Sequence, residues 1–191
     1  MQAHTSVVCK FYRPVRILRL HYLPLLYIRL LSLTTFDEEL DRSAINRYSL
    51  PVPKDFLERI DRTSSPAHIG SLRNAIDLIV PVNTPVLAAA NGIVSFIRDD
   101  SNTGGPEPSY WSYTNFIVIM HSNGEYSRYD HLAYRSSKVK VGQRVSKGQQ
   151  IAKVGMTGYT YLPHLHFQVF VFTGINVWTD FITVEVKDFD S

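Results

Sequence analysis

The sequence predicts an all-β domain of mainly antiparallel sheets over residues 67–186, and three observations carry that expectation. Helical periodicity almost vanishes after residue 67, where apolar residues either alternate or come in short runs. Gly and Asn-Gly turn signals separate those runs at close spacing. Aromatic residues suited to a pleated, half-buried surface are plentiful: 11 Tyr, 10 Phe and 2 Trp among 191 residues.

In chain order, residues 75–80 form an apolar run around Asp77. Residues 84–90 and 93–97, joined by Asn91-Gly92, carry the signature of a hairpin with a tight type I′ turn. Residues 99–112 have no periodicity and read as a long exposed loop. Residues 116–120 are uninterrupted apolar and predict a strand buried on both faces. Asn123-Gly124 is a second tight turn, leading into residues 125–132, and Gly142 and Gly148 mark turns between short strands. In the last clear strand Leu165, Phe167, Val169 and Val171 alternate, which puts His164, His166 and Gln168 on the opposite face.

The N-terminal part reads differently. Residues 1–48 form a basic and then apolar segment: Lys10, Arg13, Arg16 and Arg19 precede an apolar stretch, 22–33, that is broken by Pro24 and Arg29. That layout resembles a signal peptide or membrane anchor. It is too short to span roughly 30 Å of hydrocarbon, and no small-residue cleavage site follows. A signal, a peripheral membrane contact and an unfolded segment all stay open. A short helix over about 37–47 is expected, capped by Thr35 or Asp37. Residues 49–66, with Pro51, Pro53 and Pro66, read as an entry loop with one helical turn near 56–60.

Composition excludes several classes. With 45% hydrophobic and 19% charged residues the chain is not a disordered one. A net charge of +3 is too small to argue for a nucleic-acid partner. The lone Cys9 excludes an internal disulfide framework and any cysteine-rich metal site. The chain is expected to be a monomer.

The chemistry lies in the histidines. His164-Leu165-His166 puts two imidazoles on one strand face, so that one ring can bind a metal while its neighbour reaches a substrate. A catalytic zinc site takes three protein ligands and keeps one open position. Without a usable Cys, those ligands are imidazoles and a carboxylate. Asp77 is the best carboxylate, since an ionisable group in so apolar a run is costly unless paired or coordinated. A solitary strand His is ordinarily structural, its ring held by a backbone carbonyl, and His121 beside the Asn123-Gly124 turn fits that description.

These residues sit in blocks that resemble peptidase family M23, the lysostaphin- and LytM-like zinc endopeptidases of bacterial cell walls. The blocks are His68-Ile-Gly, Asn74-Ala-Ile-Asp-Leu, Pro81-Val-Asn-Thr-Pro-Val and Asn115-Phe-Ile-Val-Ile-Met-His. They continue with Tyr129-Asp-His-Leu, Val141-Gly-Gln-Arg-Val-Ser-Lys-Gly, Gly155-Met-Thr-Gly and Pro163-His-Leu-His-Phe, in that order over residues 67–172. The resemblance implies antiparallel sheets around an open groove, one zinc ion per chain, and metal ligands His68, Asp77 and His166. It implies catalytic roles for His131 and His164, without saying which is the general base. It further implies a peptide substrate, peptidoglycan stem or cross-bridge, and an extracytoplasmic location.

The chain departs from the pattern in places. Many members carry the first His four residues before the Asp, where this chain has Arg73. A branch uses a His further upstream, and His68, nine residues before Asp77, fits that branch. The usual glycines are Asn83 and Leu162 here, and Tyr161-Leu162 would narrow the cleft rim. Two other readings compete. One is a non-catalytic wall-binding or regulatory module of the same fold. The other is a biotinyl or lipoyl carrier, whose hairpin blocks resemble residues 84–94 and 141–151. A carrier needs a lysine at a hairpin tip, and Lys138 stands well away from the Asn123-Gly124 turn.

Overall fold

The computed structural model describes residues 42–63, 67–176 and 179–190. The readings of residues 1–41, including Cys9, fall outside them. Among the described residues the helical turns are short 3-10 segments, and no helix is long and apolar enough to cross a membrane.

The strands are β1 (Arg59–Asp61), β2 (Ile76–Ile79), β3 (Pro85–Leu87), β4 (Gly92–Arg98), β5 (Gly104–Gly105) and β6 (Phe116–Met120). They continue with β7 (Glu125–Asp130), β8 (Arg144–Val145), β9 (Gln150–Lys153), β10 (Gly158–Tyr159), β11 (His164–Phe172) and β12 (Phe181–Val184). Eight of them form one antiparallel sheet in the order β1-β2-β11-β7-β6-β4-β8, with β12 also paired to β11. β3 and β9 form a separate antiparallel pair, and β5 and β10 a short parallel one. The mainly antiparallel all-β architecture expected from the sequence is therefore what is found.

The alternation along β11 decides where the core lies. Leu165, Phe167 and Val169 are fully buried on one face and join Leu78, Ile117, Ile119 and Tyr129 from neighbouring strands. Val86, Ile151 and Ala152 of the β3–β9 pair belong to the same core. Burying each large apolar side chain contributes about 1.5–3 kcal/mol, so this face anchors the sheet. The other face of β11 carries His164, His166 and Gln168, followed by Phe170 and Phe172.

Asn123-Gly124 turns β6 into β7 with φ of 60° and 72°, the left-handed pair that a tight hairpin needs. Asn91-Gly92 does not make the expected hairpin. β3 pairs with β9, while β4 pairs with β6 and β8. The residues serve another purpose: the Asn91 side-chain oxygen accepts the Lys147 N–H at 2.7 Å. A Cβ on Gly92 would lie 2.4 Å from the Met120 carbonyl oxygen, so the glycine allows close approach of β6.

The helix expected to reach residue 47 is also corrected over its described part. Residues 42–47 are not helical. The Glu125 carboxylate takes the backbone N–H groups of Ile45 at 2.5 Å and Asn46 at 3.0 Å, removing donors that a helix would use. It also accepts Asn46 Nδ2 at 2.7 Å and the Tyr48 hydroxyl at 3.0 Å. Burial and the neighbouring Glu125 charge push the Tyr48 phenol well above its ordinary pKa, so it stays a donor. Tyr48 and Val52 are fully buried in the core, and β1 extends the large sheet. Residues 42–61 thus pack as part of the domain. Replacing Glu125 with alanine is expected to cost roughly 3 kcal/mol or more, because one buried and three part-buried donors lose one charged acceptor. Chemical denaturation checks this.

Candidate metal centre

Strand register gathers the polar residues. Asp61, Asp77, His166, Asp130, Phe116 and Arg98 stand opposite one another across β1, β2, β11, β7, β6 and β4. Cross-strand partners share a face, so one row brings Asp77 against His166 and Asp130. His164 lies two residues away on the same face of β11, as the alternation predicts.

The structure brings His68, Asp77 and His166 together. Asp77 Oδ1 lies 3.2 Å from His68 Nε2 and 2.8 Å from His166 Nδ1. One ligand atom from each of the three lies within 4.8 Å of the others, and their side chains are 2%, 11% and 9% exposed. His68 Nδ1 faces the Arg62 carbonyl at 3.2 Å, which can only accept. A neutral His68 therefore donates from Nδ1 and turns the Nε2 lone pair toward the carboxylate oxygen. In that neutral form two acceptors face each other, and either a proton on Nε2, which then donates to Asp77, or a metal cation resolves the arrangement. The ligand atoms of a tetrahedral zinc site, with bonds of about 2.0–2.2 Å, lie about 3.3–3.5 Å apart. Two imidazoles and a carboxylate so placed fit a zinc ion that keeps an open position once the 2.8 Å and 3.2 Å contacts widen slightly to that separation.

His131 and His164 stand beside this cluster, their ring centroids 4.7 Å apart. His131 follows β7 with φ of 61°, an uncommon angle for a residue with a Cβ and one that collects at functional sites. Its Nδ1 donates to the Thr157 carbonyl at 2.7 Å, and His164 Nδ1 donates to the Leu162 carbonyl at 2.9 Å. Both neutral rings therefore carry their lone pair on Nε2. Thr157 is itself fixed by a buried network in which its hydroxyl accepts the Asn115 N–H and donates to the Leu132 carbonyl.

Electrostatics follow from burial and from this wiring. Burial raises the Asp77 carboxyl, but hydrogen bonds with His166 and His68 outweigh it and hold the group well below the carboxylate range. Burial and the neighbouring His164 push His131 down to about 4. His164 is also lowered, mainly by burial against the opposing pull of Asp77. His166 is raised, because its bond to Asp77 overcomes the effect of burial. His121 proves structural: its rings are satisfied by the Asn91 carbonyl and the Ser127 hydroxyl.

A groove of about 600 Å³ opens on this face, lined by His131, His166, Trp111, Phe181 and others. Tyr159 lines it, and Tyr161 backs Tyr159 through a 2.6 Å hydroxyl contact. The groove also exposes residues the sequence reading passed over: Arg128 and Asp130 of β7. Their alternation along β7, in step with His166 and Gln168, was the available signal.

Comparison with known proteins identifies the family. The model of peptidase family M23 matches residues 71–177, a stretch that starts just after His68. Peptidoglycan DD-endopeptidase ShyA of Vibrio cholerae is 37% identical over 98 residues, 51% of this chain and 20% of the relative. ShyC, named as the same activity in the same organism, is 33% identical over 140 residues, 70% of this chain and 29% of the relative. The chain thus spans less than a third of the length of these curated relatives. A zinc-containing peptidase from Vibrio cholerae superposes with a TM-score of 0.50 at 28% identity, over 76% of this chain and 41% of that one. The M23 metalloprotease pseudoalterin, at a TM-score of 0.51 but 16% identity, covers 75% of this chain and 76% of its own and shares the fold. With more than half its length matched to the family model, the chain belongs to peptidase family M23.

Proposed function

We propose that the chain is a zinc-dependent endopeptidase acting on peptide bonds of peptidoglycan cross-links, in the cell envelope or outside the cell. His68, Asp77 and His166 hold the metal, and His131 and His164 are the catalytic residues. The observation that carries this reading is the convergence of two imidazoles and a carboxylate, of which His166 lines the groove together with His131, beside two imidazoles with Nε2 lone pairs. The names of the matched relatives support the peptidoglycan part.

Bound by these three residues, zinc supplies Lewis acidity, polarising a carbonyl and lowering the pKa of a water to about 7. The protein's own groups handle protons and orientation. The carbonyls of Thr157 and Leu162 hold the two rings in the Nδ1–H form. A neutral ring so held accepts a proton at Nε2 and, once protonated, donates to a developing oxyanion. Asp77, kept ionised by its partners, supplies a negative oxygen to the metal at every neutral pH.

Purified protein is expected to bind close to one zinc per chain and to release peptides from purified peptidoglycan. Protein that takes up no zinc contradicts the reading. Zinc-loaded protein that releases no peptide contradicts catalysis and fits the wall-binding module instead.

A further inference from the structure

We propose that Arg128 and Gln168 form a specificity subsite for a peptide residue that ends in a free α-carboxylate, beside the metal centre. The proposal rests on the reading of the groove as a peptide-binding one. Gln168 is 3% exposed and lines the groove, yet its buried Oε1 meets no hydrogen-bond partner among the described residues. Burying an unpaired amide oxygen is unfavourable, and a leucine would fill the same volume without that cost. The fold itself gives no reason for an amide here, whereas a ligand N–H does.

Arg128 is the cross-strand partner of Gln168. Its guanidinium packs over the Phe116 ring at 4.2 Å, and its Nε donates to both Asp130 oxygens at 2.9 Å. That fixes one edge of the fork. The Nη groups hold no hydrogen bond to a described residue, and a planar fork matches a carboxylate through two parallel bonds. Turned about its last side-chain bond, the Gln168 amide would bring this unpaired oxygen to the groove as an acceptor next to a positioned double donor. A peptide's last residue presents the complement: a backbone N–H for Gln168 Oε1 and a terminal carboxylate for Arg128. This selects cross-links in which one stem keeps a free carboxyl end over bridges closed at both ends.

Calorimetry on the zinc-loaded protein is the test, using two short synthetic peptides that differ only in ending as a carboxylate or a carboxamide. The wild type is expected to favour the carboxylate about tenfold. Gln168→Glu, which sets a carboxylate against Arg128, should remove the preference. Arg128→Lys, which keeps the charge and loses the fork, should remove most of it. Gln168→Leu should weaken both peptides and raise the melting temperature. Equal affinity in the wild type overturns the proposal, as does a preference that survives Gln168→Glu and Arg128→Lys, which would place the carboxylate elsewhere. Binding is read without turnover. A protein that binds with this preference and cleaves nothing overturns the peptidase reading and leaves the subsite standing.

Discussion

Replacing His166 with alanine is expected to abolish stoichiometric zinc binding and to lower peptide hydrolysis by about a thousandfold or more, with the fold retained. The ring meets Asp77 Oδ1 at 2.8 Å and shares its row, so its loss leaves one imidazole and one carboxylate. Changing only the partners behind a metal ligand typically costs about 10–100-fold, and losing a ligand costs more. The expected zinc linkage gives a second readout. Free zinc at about a hundred times Kd adds about 2.7 kcal/mol, which for a domain of this size raises Tm by roughly 5–10 °C. Chelation should reverse that rise in the wild type, and His166→Ala should show no rise at all. A variant that keeps both the zinc response and hydrolysis contradicts the assignment of His166.

The second large effect separates chemistry from metal binding. His131→Ala is expected to retain zinc while kcat falls about 10²–10⁴-fold, the usual scale for losing a positioned acid-base group. The reason is local. His131 Nδ1 is committed to Thr157, and burial keeps the ring neutral at pH 7, so its Nε2 lone pair is the functional end. His164, held by Leu162 in the same tautomer, should behave alike when changed to alanine. Zinc content measured beside single-turnover rates distinguishes the cases. A fall in rate that tracks lost zinc would make either ring a metal-holding group rather than a catalytic one.

Much of this arrangement is legible in the chain where the signal is local. The alternation from His164 to Val171 places β11, its core face and the shared face of His164, His166 and Gln168. Asp77 stands out because its neighbours are all apolar, and Asn123-Gly124 turns the chain because both residues accept positive φ. What local pattern misses is set by distant partners. Residues 45 and 46 give up helix for a carboxylate some 80 positions away. The glycine at 92 answers to Met120 on another strand rather than to its own neighbours. Arg128 and Asp130 look like an ordinary exposed charge alternation until register sets them against Gln168 and His166. The left-handed backbone at His131, which follows β7, has no counterpart in residue type at all.

Diffraction from zinc-soaked crystals at the zinc absorption edge is the most direct trial of the metal assignment. It should yield one strong anomalous peak within about 2.0–2.2 Å of His68 Nε2, Asp77 Oδ1 and His166 Nδ1. A peak bound elsewhere, or one that His68 does not touch, contradicts it.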